Sequence, residues 1–126
     1  MLKTGYKAII FDLGGVLIDI DYQATERAFI ELGVEDFAKQ YTQFAQADLF
    51  DLFETGQISP QHFINKLLPI TKPNTTPNQV YAAWNAMLGQ FPADKIDFIT
   101  ELSTQTSLYM LSNTNAIHWG VVLDRW

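Results

Sequence analysis

The amino-acid sequence predicts an α/β fold in which a long helical insert separates two short parallel strands. The first apolar run, Tyr6–Phe11, is followed at once by the carboxylate of Asp12 and then, after one leucine, by two glycines. The second run, Ser107–Leu111, is followed by four small polar residues, 112–115. The roughly eighty residues between them have mostly the three- and four-residue apolar spacing of amphipathic helices. This order predicts part of a parallel sheet, with a helical subdomain inserted after its first strand.

The composition indicates an acidic, folded domain and excludes several kinds of partner. The 126 residues suffice for one domain with a core, and 48% of them are hydrophobic. The net charge is −6 and no basic cluster occurs, so we expect neither a nucleic-acid nor a membrane partner. The lack of cysteine excludes disulfides, thiolate metal sites and cysteine nucleophiles. Because the sequence has neither a signal-peptide pattern nor an apolar run long enough to span a membrane, we expect a cytoplasmic protein.

The two predicted strands place two polar side chains at one edge of the sheet. Both runs are apolar without alternation, which is typical of parallel strands buried on both faces. Because the carboxyl ends of neighbouring parallel strands meet at the same edge, we expect Asp12 and Ser112 to lie side by side there. Beyond Asp12, the segment Val16–Ile20 and the aspartates that alternate with its isoleucines predict a brief extended or hairpin segment.

Start and stop signals divide the insert into five predicted helices. Three of them begin at a start signal: a Ser-Pro pair, a Thr-Pro-Asn-Gln capping box or a single proline. The first three end at a glycine or a proline. The predicted spans are Gln23–Leu32 before Gly33, Glu35 to about Phe53 before Gly56, Ser59-Pro60 up to Pro69, Thr76 to about Leu88, and Pro92 to about Gln105. No internal repeat or low-complexity segment occurs.

Asp12 and Ser112 form the candidate functional pair. A carboxylate can act as a covalent nucleophile toward phosphorus, and Mg²⁺, which binds one or two carboxylates together with phosphate oxygens, would offset the charge of an anionic substrate. The Ser112 hydroxyl and the backbone N–H groups after it could hold phosphoryl oxygens, and Gly14-Gly15 let the main chain approach closely. Taken singly, these residues are ordinary turn residues, and Gly14-Gly15 does not match the dinucleotide-binding fingerprint.

Other conspicuous side chains are better explained by packing or exposure. His62 falls in the first turn of the third predicted helix, which favours a structural or exposed role. His118 lies six residues beyond Ser112 and so near the predicted site, but a structural role is the simpler interpretation. Trp84 and Trp119 are interpreted as packing residues rather than as platforms for a substrate.

Together these features resemble the haloacid dehalogenase (HAD) superfamily of hydrolases. Ile9–Leu17 is similar to the first motif of that family, and Met110–Asn115 is similar to its second. Two parts of the insert, Phe53–Ser59 and Ala83–Leu88, are similar to the helical cap of small sugar-phosphate phosphatases. The sequence Asp-Leu-Gly at Asp12 resembles the branch of glucose-1-phosphate phosphatases.

The resemblance implies a fold and a division into domains. The sheet would be a partial Rossmann-like parallel sheet, formed by the first two strands of the HAD core, with the α-helical cap inserted after strand 1. Residues 1–17 and 92–126 would form the incomplete core, and residues 18–91 the cap subdomain. Residues 13–22 would be the mobile turn and flap that close the site.

The resemblance also implies a role for each matching residue. Asp12 would be the nucleophile that forms an aspartyl-phosphate and would also be a Mg²⁺ ligand, with the backbone carbonyl of Gly14 as a second ligand. Ser112 would be catalytic through binding the phosphoryl group, assisted by the backbone of Asn113 and by Leu13 and Gly14. The implied activity is phosphomonoester hydrolysis of small phosphorylated metabolites such as sugar phosphates, with Mg²⁺ as cofactor.

The chain departs from the family pattern at Gly14. Most family phosphatases have an aspartate there as general acid–base, so the group that protonates the leaving alcohol is unassigned. Haloacid dehalogenases also lack this aspartate, and their reaction is therefore an alternative.

The sequence after Ser112 is a second departure from the family pattern. Family members carry a lysine and an acidic pair on later segments, whereas the 14 residues that follow Ser112 contain no lysine and one carboxylate, Asp124. We therefore expect a C-terminally truncated chain. This expectation opens one further alternative, a catalytically incompetent remnant that binds a partner or self-associates through its incomplete sheet edge. A phosphate-accepting regulatory domain is a separate alternative, and the large helical insert and the lack of an acidic pair beside Asp12 argue against it.

Overall fold

A computed structural model describes residues 5–126 of the chain, which form two strands, seven α-helices and one short 3₁₀ turn. In chain order the elements are β1 (Ala8–Phe11), α1 (Tyr22–Glu31), α2 (Phe37–Gln46), α3 (Leu49–Glu54), α4 (Pro60–Leu67) with a 3₁₀ turn at Leu68–Ile70, α5 (Pro77–Asn85), α6 (Ala93–Ser103), β2 (Ser107–Met110) and α7 (Ala116–Arg125).

The chain divides into two compact units. The strand unit comprises the described residues up to Ile20 together with Leu88–Ser112, and it contains β1, β2 and α6. The helical unit comprises Asp21–Met87 and Asn113–Trp126, and it contains the other six α-helices. The predicted division has a core of 1–17 and 92–126 and a cap of 18–91. It assigns residues 113–126 to the core, whereas in the structure they belong to the helical unit. The assignment of these segments to a core and a cap stays a prediction.

In the strand unit, β1 and β2 pair in parallel with an unbroken register from Ala8 opposite Ser107 to Phe11 opposite Met110. The predicted parallel pairing is therefore confirmed. The prediction that both strands are buried is wrong for one face, because Ile10 and Tyr109, which are register partners, are 65% and 60% exposed. Among the described residues of this unit, no second layer covers that face.

A short antiparallel contact joins the two segments of the strand unit. The Asp19 N–H donates to Gln90 O at 2.9 Å, the Gly89 N–H donates to Asp19 O at 2.8 Å, and Ile20 is bridged to Leu88. A side chain at Gly89 would place its Cβ 2.8 Å from that same Asp19 oxygen. The close approach of the two backbones therefore requires glycine at this position.

In the helical unit, the predicted local start signals are present. Thr76 and Gln79 form both halves of a capping box on α5, and the Ser59 hydroxyl accepts the His62 N–H at the start of α4. The predicted single helix from Glu35 to Phe53 is wrong: the chain forms α2 and α3. The backbone at Asp48 adopts the left-handed conformation (φ 57°), which interrupts the helix between them.

Aromatic side chains dominate the core of the helical unit. Phe63 is fully buried, and its ring lies 4.3 Å from that of Phe53 and 4.9 Å from that of Trp84. Helix α7 packs on α5, with Ile117 7% exposed. Large aromatic residues bury the most apolar area per residue, so this cluster is the main source of stability in the unit. Among the described residues, no helix is long and apolar enough to cross a membrane.

Candidate active site

Asp12 is the first residue after β1, and its side chain is exposed at the carboxyl end of that strand. Its Oδ1 accepts a hydrogen bond from the N–H of the next residue, Leu13, at 2.7 Å. Within residues 5–126 no protein donor contacts Oδ2. One carboxylate oxygen is thus fixed by the local backbone, while the other faces solvent.

Ser112 follows β2 at the same edge of the sheet as Asp12. The Leu111 N–H donates to Phe11 O at 2.8 Å, so the ladder continues one residue beyond the two strands. The constant register places Asp12 level with Leu111, and Ser112 one residue further. The structure therefore brings Asp12 and the half-buried Ser112 to one edge, whereas Asn113, which is exposed, begins the helical unit.

A compact turn follows Asp12 and determines the backbone conformation of Gly14 and Gly15. The Leu13 carbonyl accepts the N–H groups of Leu17 at 2.8 Å and Ile18 at 3.0 Å. The Gly15 N–H donates to Ile18 O at 2.7 Å, and Gly15 has φ +74°, a conformation that strongly favours glycine. The predicted extended or hairpin segment is thus a tight turn followed by the extended pairing at Asp19 and Ile20.

The oxygen atoms at this edge match the donors that Mg²⁺ prefers. Asp12 supplies a carboxylate, and the exposed Gly14 supplies a backbone carbonyl that accepts no hydrogen bond from the described residues. Mg²⁺ commonly takes one or two protein carboxylates and completes its shell with water and phosphate. The part of the chain that the structure describes contains no group of three acidic or histidine side chains that could hold a metal. The donor chemistry at this edge is therefore compatible with Mg²⁺, although the described residues do not by themselves form a metal site.

His118 is buried in the helical unit, in agreement with the packing role predicted for it. Its ring stacks on Trp84 with centroids 5.4 Å apart, and its Nδ1 lies 2.8 Å from Asn85 Oδ1. Burial lowers the pKa of His118 from 6.5 to about 4. The imidazole is therefore neutral at pH 7 and contributes no positive charge that could offset a phosphate.

Two features were not predicted from the sequence. The helical unit contains a cavity of about 540 Å³, lined partly by the segment from Phe53 to Pro60 and partly by Thr114–Ala116 and Trp119. In the strand unit, the Lys95 ammonium group donates to Val16 O at 2.6 Å. Sequence spacing gives no signal for either, because both depend on contacts between distant segments.

Comparison with known proteins identifies related chains. No family model matches the sequence. A D-ribitol-5-phosphate phosphatase of Bacteroides thetaiotaomicron is 33% identical over 109 residues, which are 86% of this chain and 53% of that protein. The crystal structure of a HAD family enzyme of the same species has a TM-score of 0.87 and 31% identity, over 97% of this chain and 60% of that one.

Two further solved structures extend this likeness. The same B. thetaiotaomicron enzyme in complex with magnesium and inorganic phosphate gives a TM-score of 0.85 with 33% identity, over 96% of this chain and 60% of the other. A predicted HAD-like family hydrolase of Porphyromonas gingivalis gives a TM-score of 0.73 with 35% identity, over 94% and 54%. The chain thus spans between about half and three fifths of the length of these relatives. Over most of its length, the chain resembles HAD family enzymes in sequence and in fold.

Proposed function

We propose that the chain carries the nucleophile and part of the phosphate site of a phosphomonoesterase that acts on small phosphorylated metabolites. The observation that carries the proposal is the placement of Asp12 and Ser112 at one edge of a parallel sheet, where no donor among the described residues contacts one of the Asp12 oxygens. The likeness to a D-ribitol-5-phosphate phosphatase supports phosphate esters as the substrate class. It favours them over the halogenated acids of the alternative reaction.

The reaction would proceed through covalent catalysis by Asp12. Its Oδ2 attacks phosphorus, the bond between phosphorus and the alcohol oxygen breaks, and an aspartyl-phosphate forms. Water then attacks this intermediate, which releases inorganic phosphate and restores the carboxylate. The Ser112 hydroxyl and the N–H group of Gly14 are the proposed donors to the phosphoryl oxygens. Since Gly14 offers no side chain, the departing alcohol would take its proton from water.

Mg²⁺ is the proposed cofactor, and Asp12 and the Gly14 carbonyl would hold it. When bound, it would offset the negative charge of the phosphate and of the attacking carboxylate. Support comes from the donor chemistry at this edge and from the HAD family enzyme that was crystallised with magnesium and inorganic phosphate. A linear polyol phosphate or a sugar phosphate is the substrate that we propose for testing first.

The decisive experiment compares hydrolysis by three forms of the chain. The wild type, Asp12→Asn and the control Asp97→Asn, which alters an exposed carboxylate on α6, are assayed with ribitol 5-phosphate and glucose 1-phosphate. We expect Mg²⁺-dependent phosphate release by the wild type and by the control. Removing a covalent nucleophile should lower kcat at least about a thousandfold in Asp12→Asn. A wild type without activity, or full activity in Asp12→Asn, would contradict the proposal for this chain.

Self-association is a second candidate function, and the open face of the sheet favours it. Ile10 of β1, Tyr109 of β2 and Leu111, which follows β2 directly, are 65%, 60% and 75% exposed. A two-stranded sheet by itself is marginally stable. The lateral edge of an unpaired strand can pair with a strand of another chain. We therefore propose that a second copy of this chain covers the sheet. Sedimentation equilibrium should then show a dimer that Tyr109→Lys disrupts, whereas Tyr22→Lys, a change at an exposed tyrosine of α1, does not. A strictly monomeric wild type would refute this candidate.

A further inference from the structure

We propose that Lys95 is a positioning residue that holds the turn after Asp12, and this inference rests on the function proposed for that site. Lys95 lies in the first turn of α6, 79 residues beyond the turn that it contacts. Its ammonium group donates to Val16 O at 2.6 Å and lies 3.9 Å from Asp19 Oδ1. The Lys95 ammonium group thus contacts the turn at Val16 and approaches Asp19, the residue that follows the turn.

The contact with Val16 O is the stronger of the two. A hydrogen bond from a charged donor is shorter and stronger than one between neutral groups, and the distance of 2.6 Å agrees with this. The Asp19 carboxylate is 65% exposed and lies at the limit of an ion pair, so its attraction is largely screened by water. Lys95 therefore acts on the turn mainly through a backbone carbonyl.

Holding Val16 restrains the groups that are proposed to act at the site. The Leu13 carbonyl accepts the N–H groups of Val16, Leu17 and Ile18, so the turn is one hydrogen-bonded ring of backbone groups. The Leu13 N–H in turn donates to Asp12 Oδ1. A turn that moves as a unit would carry both the Asp12 carboxylate and the Gly14 carbonyl with it. Lys95 fixes this unit against α6 without touching the reacting atoms.

Amide hydrogen exchange tests the restraint directly, whether or not the chain is active. We expect Lys95→Met to speed exchange at the N–H groups of Leu17 and Ile18 about tenfold, because one charge-assisted bond is lost. The backbone N–H of Ile99 in α6 serves as an internal reference and should not change. Lys95→Arg, which keeps a charged donor, should restore most of the protection.

Two controls separate this role from general effects of charge. Lys7→Met removes an exposed cation of the same unit and should leave exchange in the turn unchanged. Asp19→Asn removes only the screened ion pair and should have a smaller effect than Lys95→Met. Unchanged exchange in Lys95→Met would overturn the proposal, and so would an equal acceleration in Lys7→Met. Acceleration at Ile99 as well would show general destabilisation by Lys95→Met and would also overturn it.

Kinetics then test whether the restraint matters for hydrolysis. We expect Lys95→Met to lower kcat by about tenfold with little change in KM, and Lys95→Arg to recover most of the loss. Faster exchange in the turn with unchanged kcat would overturn the positioning role. A wild type without Mg²⁺-dependent hydrolysis would refute the proposed function instead, and the exchange experiment would then decide on Lys95 by itself.

Discussion

Acidification should destabilise the helical unit through one histidine, His118. The side chain is 8% exposed, and burial lowers its pKa from 6.5 to about 4. Its ring contacts Asn85 and Trp84, neither of which titrates. The folded state therefore holds a neutral imidazole, whereas the unfolded chain binds a proton at the ordinary pKa. Stability from this group is fully present above about pH 6.5 and is lost as the pH falls from there to about 4.

The size of the effect follows from the difference between the two pKa values. Each unit is worth about 1.4 kcal/mol, so the shift corresponds to roughly 3 kcal/mol of stability between neutral and acidic pH. A domain of this size typically has a free energy of unfolding of about 5 to 15 kcal/mol. A single proton on His118 would thus remove a large part of the free energy of unfolding.

Urea unfolding at several pH values measures this contribution. The wild type is compared with His118→Phe, which keeps a ring on Trp84 but cannot titrate, and with His62→Phe, a change at an exposed histidine. Between pH 6.5 and 4.5 we expect the wild type and His62→Phe to lose about 2 kcal/mol more than His118→Phe loses. Equal losses in all three proteins would refute the reasoning. So would an NMR titration that places the pKa of His118 near 6.5 in the folded chain.

Two further predictions concern backbone contacts and a buried hydroxyl. Gly89→Ala should destabilise the chain by about 1 to 3 kcal/mol in urea unfolding, because its Cβ would lie 2.8 Å from Asp19 O. Gly120→Ala is the control: it lies in α7 with open space around it and should be neutral or stabilising by up to about 1 kcal/mol. Thr25→Val should cost about 1 to 3 kcal/mol by differential scanning calorimetry, because the buried hydroxyl donates to Ala83 O and accepts the Met87 N–H. A melting temperature unchanged by Thr25→Val would show that water replaces these bonds.

The parts of the fold that could be predicted depend on local signals. The capping box at Thr76 and the Ser-Pro start at Ser59 act within one helical turn, and the structure contains both. The parallel pairing of the strands was also predictable, because parallel strands need a long crossover connection and the helical insert supplies one. The break at Asp48 was not, because the apolar spacing runs through it. Leu49 and Phe53 are both buried after the break, so tertiary packing determines where the helix ends.

Burial of the strands was not predictable from the same information. Ile10 and Tyr109 lie in apolar runs that match strands covered on both faces, yet each is more than half exposed. An apolar run shows that both faces of a strand are suited to burial. Whether they are buried depends on whether another layer of secondary structure covers the strand. On the described residues, this face of the sheet therefore combines the composition of an interior surface with high exposure.

Some features of the candidate site are likewise determined by neighbouring residues in the chain, and others by contacts between distant segments. Asp12 and Ser112 could be found from sequence because the carboxyl end of a parallel strand is where a polar residue reaches an edge. The hydrogen bond that orients Asp12 is also local, since it comes from the next residue. Lys95, in contrast, resembles any surface lysine of an amphipathic helix, and only the folded chain places it on the turn. If chemistry at Asp12 depends on how firmly that turn is held, substitutions in α6 will change catalysis without touching a predicted site residue. A search confined to the two motifs would then miss the residues that control how well the site works.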